Sequence, residues 1–540
     1  MRTRKGADAL KNCKYPYYDI PDITSVADML ETAARERPDF VAFRYRAGRD
    51  GVESRTCREV LSDVRKSACW IEKSCGRGRH IAVIGENSYE WLLAFFGALG
   101  SGNVAVPIDK DLPANEVADM IREADVDAAF VSPAYTDLTE GIEGLAVTTL
   151  KALSKAECPG WEDYGLFHPG DDDLACIFFT SGTSGRSKGV MLSHGNLASD
   201  VSGGARVFSP EGGSVLSVLP FHHAFGLVVT IMMGFHFRAT IFINRSLKRL
   251  KEDMLLAQPG IITLVPLFVE VFYKQIRDGV KKSGKENTFK WGVRISRALM
   301  KLGIDVRPKL FKQILEPFGG QLKYLICGGA YLDPFYVKFF RDIGVEIING
   351  YGATECSPSL SINRNHHYRD GSAGQLMPHV EIKISPEGEV LARGPMVMKG
   401  YYKNPEETAK VLKDGWYATG DLGYMDEDGF LFLTGRTKNL IILSNGENIS
   451  PEELENDFNR DDGVKESLVY EQDGLIVAEI FPEEEFAGNE AYFDELKQKV
   501  NQGRPAYKQV ARIVLRKEDF VRNTTRKIVR YKNVPQNTKA

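Results

Sequence analysis

From residue 80 onward the chain alternates short apolar runs with stretches of helical periodicity, and that alternation admits few architectures. His80-Ile-Ala-Val-Ile-Gly85 reads as a buried strand, 89–99 as a helix, 103–108 as a strand, 116–124 as a helix and 128–131 as a strand. Strands that are apolar on both faces and separated by helices predict a largely parallel sheet covered by helices. A second series of strands follows at 215–219, 240–243, 261–265, 322–327 and 346–348, with helical stretches between. Ahead of these, 24–76 reads as helical, with a capping box at Thr56-Cys-Arg-Glu59 and Leu61, Val64, Ala68 and Ile71 on one face. At 540 residues the chain exceeds one ordinary core, so two or more domains are expected.

In open α/β sheets, ligands gather beyond the carboxyl ends of the strands. Four such exits carry glycine or histidine: Thr180-Ser-Gly-Thr-Ser-Gly-Arg-Ser-Lys-Gly189, Pro220-Phe-His-His223, Cys327-Gly-Gly-Ala330 and Asn349-Gly-Tyr-Gly352. Together they predict one shared crevice. The first has the chemistry of a phosphate cradle. Gly182, Gly185 and Gly189 let backbone N–H groups turn inward, Thr180, Ser181, Thr183 and Ser184 supply hydroxyls, and Lys188 supplies charge. It is not the common nucleotide loop, because Ser187 stands where the second glycine of G-x-x-x-x-G-K-[ST] belongs. A plain Ser/Gly surface loop is the alternative. His222 and His223 suggest a metal, but no third ligand follows at a sensible spacing.

After about residue 380 the texture changes to short strands and tight turns. The runs 381–384 and 389–392 flank Pro386-Glu-Gly388, and Asp428-Gly429 starts another strand. Beyond Gly435 a separate α+β unit of roughly 100 residues is expected. Ser450-Pro-Glu-Glu453 opens a helix there with a capping glutamate, 467–471 and 475–481 form a hairpin around Asp473-Gly474, and a helix at 493–500 and a strand at 510–515 follow. A formal charge of −4 gives no general pull toward nucleic acid. Eight scattered cysteines without a C-x-x-C pair fit reduced thiols in a cytoplasm. No apolar run follows the basic start, and none is long enough to be a transmembrane segment; peripheral membrane contact stays open.

Five motifs then fall in one order between residues 180 and 530. They are the cradle; Asn349-Gly-Tyr-Gly-Ala-Thr-Glu355; Tyr417-Ala-Thr-Gly-Asp421; Gly435-Arg-Thr-Lys438 through Asn445-Gly-Glu-Asn-Ile-Ser-Pro451; and Thr524-Thr-Arg-Lys-Ile-Val-Arg530. In this the chain resembles the adenylate-forming, AMP-binding superfamily of acyl-CoA synthetases and luciferases over nearly its whole length. Glu355-Cys-Ser-Pro358 and Met398-Lys-Gly-Tyr-Tyr402 resemble its long-chain fatty acyl-CoA synthetase branch. The resemblance implies an α/β fold. A large domain, 1–437, would hold helix-covered, mostly parallel sheets and a small β-barrel-like subdomain, and a small mobile α+β domain, 438–540, would hinge near Lys438. It implies an ATP-dependent ligase that joins a medium- or long-chain fatty acid, or another apolar carboxylic acid, to CoA through an acyl adenylate, with Mg2+. Transfer to an acyl carrier protein is the alternative.

The resemblance also assigns roles. Thr180, Ser181, Gly182, Thr183, Ser184, Gly185 and Lys188 would hold the β- and γ-phosphates. Thr354 would contact the α-phosphate, and Glu355 with Thr183 would hold Mg2+. Asn349, Gly350, Tyr351 and Gly352 would line the nucleotide, with Tyr351 on the adenine and Gly329 and Ala330 at its edge. Asp421 and Arg436 would take the ribose. Lys438 would be the pivot, Gly446 would border the pantetheine, and Lys527 would be the catalytic cation. His223 would border the substrate carboxylate, with Phe225, Gly329 and the segments 225–233 and 265–268 forming the acyl pocket. Taken singly, most of these have ordinary readings: Tyr351 as a core tyrosine, Glu355 and Asp421 as solvated loop or turn residues, Gly446 as a turn glycine. Two departures stand out. Arg526 replaces the glycine usual before the catalytic lysine, and Ile442 stands where luciferases carry a second lysine.

Overall fold

A computed structural model describes residues 4–5, 17–48, 51–181, 187–208, 213–442, 448–522 and 528–535. Two large sheets carry the fold. The first has seven strands in the order Gly400–Tyr401, Ser187–Ser193, Leu174–Ser181, Val104–Ile108, His80–Ile84, Val126–Val131, Ala146–Thr149. It is parallel from Leu174–Ser181 to Ala146–Thr149 and antiparallel at its Gly400–Tyr401 end. The second has nine strands. Its parallel centre runs Glu346–Gly352, Tyr324–Cys327, Ile261–Leu264, Ser214–Ser217, Thr240–Ile243, Val41–Ala47, with antiparallel strands at both edges. The helix Tyr89–Gly100 lies between the sheets and is apolar on nearly every side, Glu90 excepted, as its burial requires. Ser88 caps it by accepting from the Trp91 N–H at 3.1 Å, and Trp91 packs on Phe221 with ring centroids 5.5 Å apart.

The expected strands of both series are present, within a few residues at their ends. The first expectation to fail concerns the chain ahead of them. The stretch 24–76 is not helical throughout, because the hairpin Val41–Ala47/Gly51–Thr56 stands between the helices Val26–Glu36 and Cys57–Cys75. Its first strand adds to the free edge at Thr240–Ile243, with Phe43 opposite Ile241 and fully buried. The capping box forms as expected: the Thr56 N–H donates to Glu59 Oε2 at 2.7 Å, and the Glu59 N–H to Thr56 Oγ1 at 3.3 Å. The thiols depart from expectation too. Cys69, on the Cys57–Cys75 helix, is joined to Cys158 in a disulfide that closes 89 residues of chain.

A six-stranded sheet, mainly antiparallel around Glu381–Ile384, Glu389–Arg393, Trp416–Met425 and Leu431–Arg436, forms the smaller subdomain. A compact core from Ile441 to Val510 belongs to the last unit, whose hairpin turns at Asp473 and Gly474, both left-handed. The Ser450/Glu453 capping box does not form. Ser450 Oγ donates instead to Glu452 Oε2 at 2.7 Å, and Glu453 pairs with Lys508 at 3.3 Å. Arg460 with Asp333, Arg277 with Asp462, and Lys274 with Glu483 tie this unit to the large one. No helix among the described residues is long and apolar enough to cross a membrane.

Candidate active site

The crevice is organised by the strand that ends Asn349-Gly-Tyr-Gly352. At Gly352 the chain turns back so tightly that a Cβ there would stand 1.8 Å from the Pro358 carbonyl oxygen. No residue with a side chain fits, and the close return places Thr354, Glu355 and Cys356 in one 3-10 turn. The Glu355 carbonyl accepts from the Met398 N–H at 2.8 Å, and its Oε1 accepts from the Tyr401 hydroxyl at 2.9 Å. Tyr401 sits in a segment stitched to the strand Ser187–Ser193, where Gly400 faces Met191 and the Tyr402 N–H donates to the Gly189 carbonyl at 2.7 Å.

Thr180 and Lys188 face each other across the two strands that enter and leave the cradle. The Lys188 ammonium lies 5.0 Å over the Tyr401 ring and is ion-paired with Glu407 of the helix Pro405–Val411. Tyr401 therefore joins the cation of the cradle to the carboxylate of Glu355. Neither Tyr401 nor Glu407 was legible as a site residue, because both contacts join elements distant in sequence. Gly182, Thr183, Ser184 and Gly185, with Gly446 and Lys527, lie outside the described residues, as does the side chain of Ser181.

On the opposite wall Asp421 and Arg436 face each other on neighbouring antiparallel strands. Arg436 Nε donates to Asp421 Oδ1 and the Tyr351 hydroxyl to Asp421 Oδ2, each at 2.8 Å. This nearly buried carboxylate, 7% exposed, thus joins the sheet that carries Tyr351 to the antiparallel subdomain. Burial, and then the neighbouring Asp421 charge, pushes the Tyr351 phenol well above its ordinary value, so it stays a donor. Asn349 Nδ2 donates to the Ser372 carbonyl at 3.0 Å, while its buried Oδ1 accepts from nothing among the described residues. Lys438 lies two residues beyond Arg436, in the turn Thr437–Asn439.

Gly329 and Ala330 are exposed just past Tyr324–Cys327. A Cβ on Gly329 would lie 3.6 Å from Val265 Cγ1, and one on Gly328 would lie 3.3 Å from the tip of the Phe225 ring. Phe225 opens a nine-residue π-helix, Phe225–Met233, a geometry that is rare and often accompanies function. Upstream of it, His223 Nε2 is 3.1 Å from His222 Nε2, which is 3.4 Å from Asp109 Oδ2. His222 is accordingly packed against a buried carboxylate. Burial raises the Glu270 carboxyl to about 7, against the opposing pull of Lys274 and of Arg522 from the last unit.

Comparison with known proteins identifies the family. The chain is 28% identical over 489 residues to the long-chain-fatty-acid–CoA ligase FadD15 of Mycobacterium bovis, covering 84% of this chain and 81% of that protein. It is 27% identical over 476 residues to human long-chain-fatty-acid–CoA ligase 1, covering 77% and 68%. Among solved structures, an ATP-bound RpMatB-BxBclM chimera superposes with a TM-score of 0.78 at 25% identity, covering 94% of this chain and 97% of the other. The sequence model for the AMP-binding enzyme family matches residues 30–402, more than half of the chain, and the protein belongs to that family.

Proposed function

We propose that the protein joins a medium- or long-chain fatty acid to CoA by way of an acyl adenylate. It is an AMP-forming acyl-CoA synthetase, and ATP and CoA are its co-substrates. The observation that carries the choice of acid is the π-helix Phe225–Met233, apolar but for Thr230, whose Phe225 ring tip stands 3.3 Å from where a Cβ on Gly328 would be. Such a wall suits a hydrocarbon tail and offers nothing to a charged one.

Two of the lone-pair sites of Asp421 are taken by Tyr351 and Arg436, and the others face a ribose. The free Oδ1 of Asn349 is an acceptor for the adenine amino group. Lys188 exchanges Glu407 for the β- and γ-phosphates, and Thr354 donates to the α-phosphate as the fatty carboxylate attacks phosphorus and pyrophosphate leaves. Glu355 fits Mg2+ because Tyr401 takes only one of its oxygens and no cluster of three ligating side chains exists among the described residues. Mg2+ is usually held by one or two carboxylates together with substrate phosphates. When bound by Glu355 and Thr183, the ion would neutralise charge on those phosphates. The CoA thiol then attacks the acyl carbonyl and AMP leaves. CoA rather than a carrier protein is the proposed acceptor, since the curated relatives are named CoA ligases.

Pyrophosphate release across a panel of acids tests the choice of substrate. Each further buried methylene contributes up to about 0.8 kcal/mol, so specificity rises up to about fourfold per carbon from C6 to C12. Best turnover of acetate or amino acids, with no gain along that series, refutes it. For the second step, Lys438 is the proposed pivot and Gly446 the glycine beside the pantetheine. Gly446→Trp then leaves adenylate formation near normal and abolishes thioester formation. Equal loss of both half-reactions makes Gly446 a structural glycine only.

A further inference from the structure

We propose that the face formed by residues 281–312 docks this enzyme on an anionic lipid bilayer. The segment contains the helices Glu286–Met300 and Arg307–Leu310. It carries ten lysines and arginines against two acidic residues, in a chain whose formal charge is −4. The Glu286–Met300 helix already has its packing partner: Gly292 and Ser296 are buried, and Phe289 and Val293 lie against the core. Its outer side nevertheless carries Trp291 and Ile295 one turn apart, 61% and 49% exposed, and Leu302, 75% exposed, continues the stripe. Leu310, 46% exposed, packs against the same helix at Gly292, its Cδ2 3.5 Å from where a Cβ there would stand. An apolar stripe of this kind on a helix whose inner face is occupied marks an interaction surface.

Charge decides the occupant. Lys285, Lys290, Arg294, Lys301, Lys309 and Lys312 are exposed around the stripe, and none pairs with a carboxylate among the described residues. Arg294 stands 5.5 Å over the Trp291 ring. Only Arg297, with Asp342, and Arg307, with Asp305, are neutralised. Bulky apolar side chains ringed by cations match the acyl boundary and acidic headgroups of a bilayer. A nucleic acid would engage the cations and leave Trp291, Ile295 and Leu302 in water. None of these residues belongs to the nucleotide cluster, so the inference does not depend on which acid is activated.

Co-sedimentation of the full chain with vesicles tests it, using phosphatidylcholine alone and phosphatidylcholine mixed with phosphatidylglycerol. The wild type is expected to bind the mixed vesicles and hardly the neutral ones. The triple variant Trp291→Ser, Ile295→Ser, Leu302→Ser should bind at least about tenfold more weakly. Neutralising Lys290, Arg294 and Lys301 to Gln should cost about fivefold per cation at low salt. Acyl-CoA formation from a short, freely soluble acid should stay unchanged in both variants. Absence of binding to either vesicle, or binding that neither variant weakens, overturns the proposal. So does a wild-type dimer in ultracentrifugation that the apolar triple variant dissolves, which would make this face a contact between protein chains.

Discussion

Lys527→Ala is expected to lower pyrophosphate release by about a hundredfold or more while leaving conversion of chemically prepared acyl-AMP to acyl-CoA near normal. In the first half-reaction two anions meet, and negative charge builds on the equatorial oxygens of the α-phosphorus and on the oxygen bridging to pyrophosphate. A cation brought to that point, where water is excluded, stabilises the developing charge more than the ground state. Lys527 lies in Thr524-Thr-Arg-Lys527, a stretch too polar for a core, and the resemblance assigns it this role despite Arg526 in place of the usual glycine. Rapid-quench measurement of each half-reaction is the check. An unimpaired first step removes the assignment, and loss of the second step alone transfers this lysine to the thiol.

Asp421→Ala should raise the KM for ATP about a hundredfold, because two hydrogen bonds from ribose hydroxyls to a charged acceptor are lost, each worth about 1.5–3 kcal/mol. The same carboxylate accepts from Tyr351 and Arg436, so removing it also frees the tyrosine ring proposed to meet the adenine. Asp421→Asn keeps the shape and one acceptor, and the expected loss is correspondingly smaller. Thermal melting separates binding from folding. The Tyr351 hydroxyl would lose its buried acceptor in the alanine variant, at a cost of about 1–3 kcal/mol. An unchanged KM accompanied by a lowered melting temperature would make Asp421 a structural link between sheets and not a nucleotide ligand.

Much of the fold was readable because the local physics is strong there. The capping box at Thr56 and Glu59 is satisfied within three residues. The turn at Asp473 and Gly474 needs only two left-handed residues, and both belong to types that tolerate them. At Ser450 the same kind of reasoning failed, because a competing acceptor, Glu452, sat two residues away. Similarly, 41–56 reads as helix by local periodicity, but the open edge of Thr240–Ile243, almost two hundred residues on, makes its first half a strand.

What the sequence by itself determined was the alternation of elements, the order of the five motifs and the residues able to meet phosphate, ribose and metal. Periodicity, turn chemistry and donor inventory are properties of near neighbours, and they survive without knowledge of the fold. Only the tertiary structure decided which of those residues share a site. Lys188 and Glu407 are 219 residues apart, Tyr351 and Asp421 70, and Cys69 and Cys158 89. Each pairing depends on strand order and register, which are set by which edges lie open and which faces are buried once the sheets assemble. A one-residue slip between Trp416–Met425 and Leu431–Arg436 would send Arg436 to the other face and leave Asp421 without its guanidinium partner.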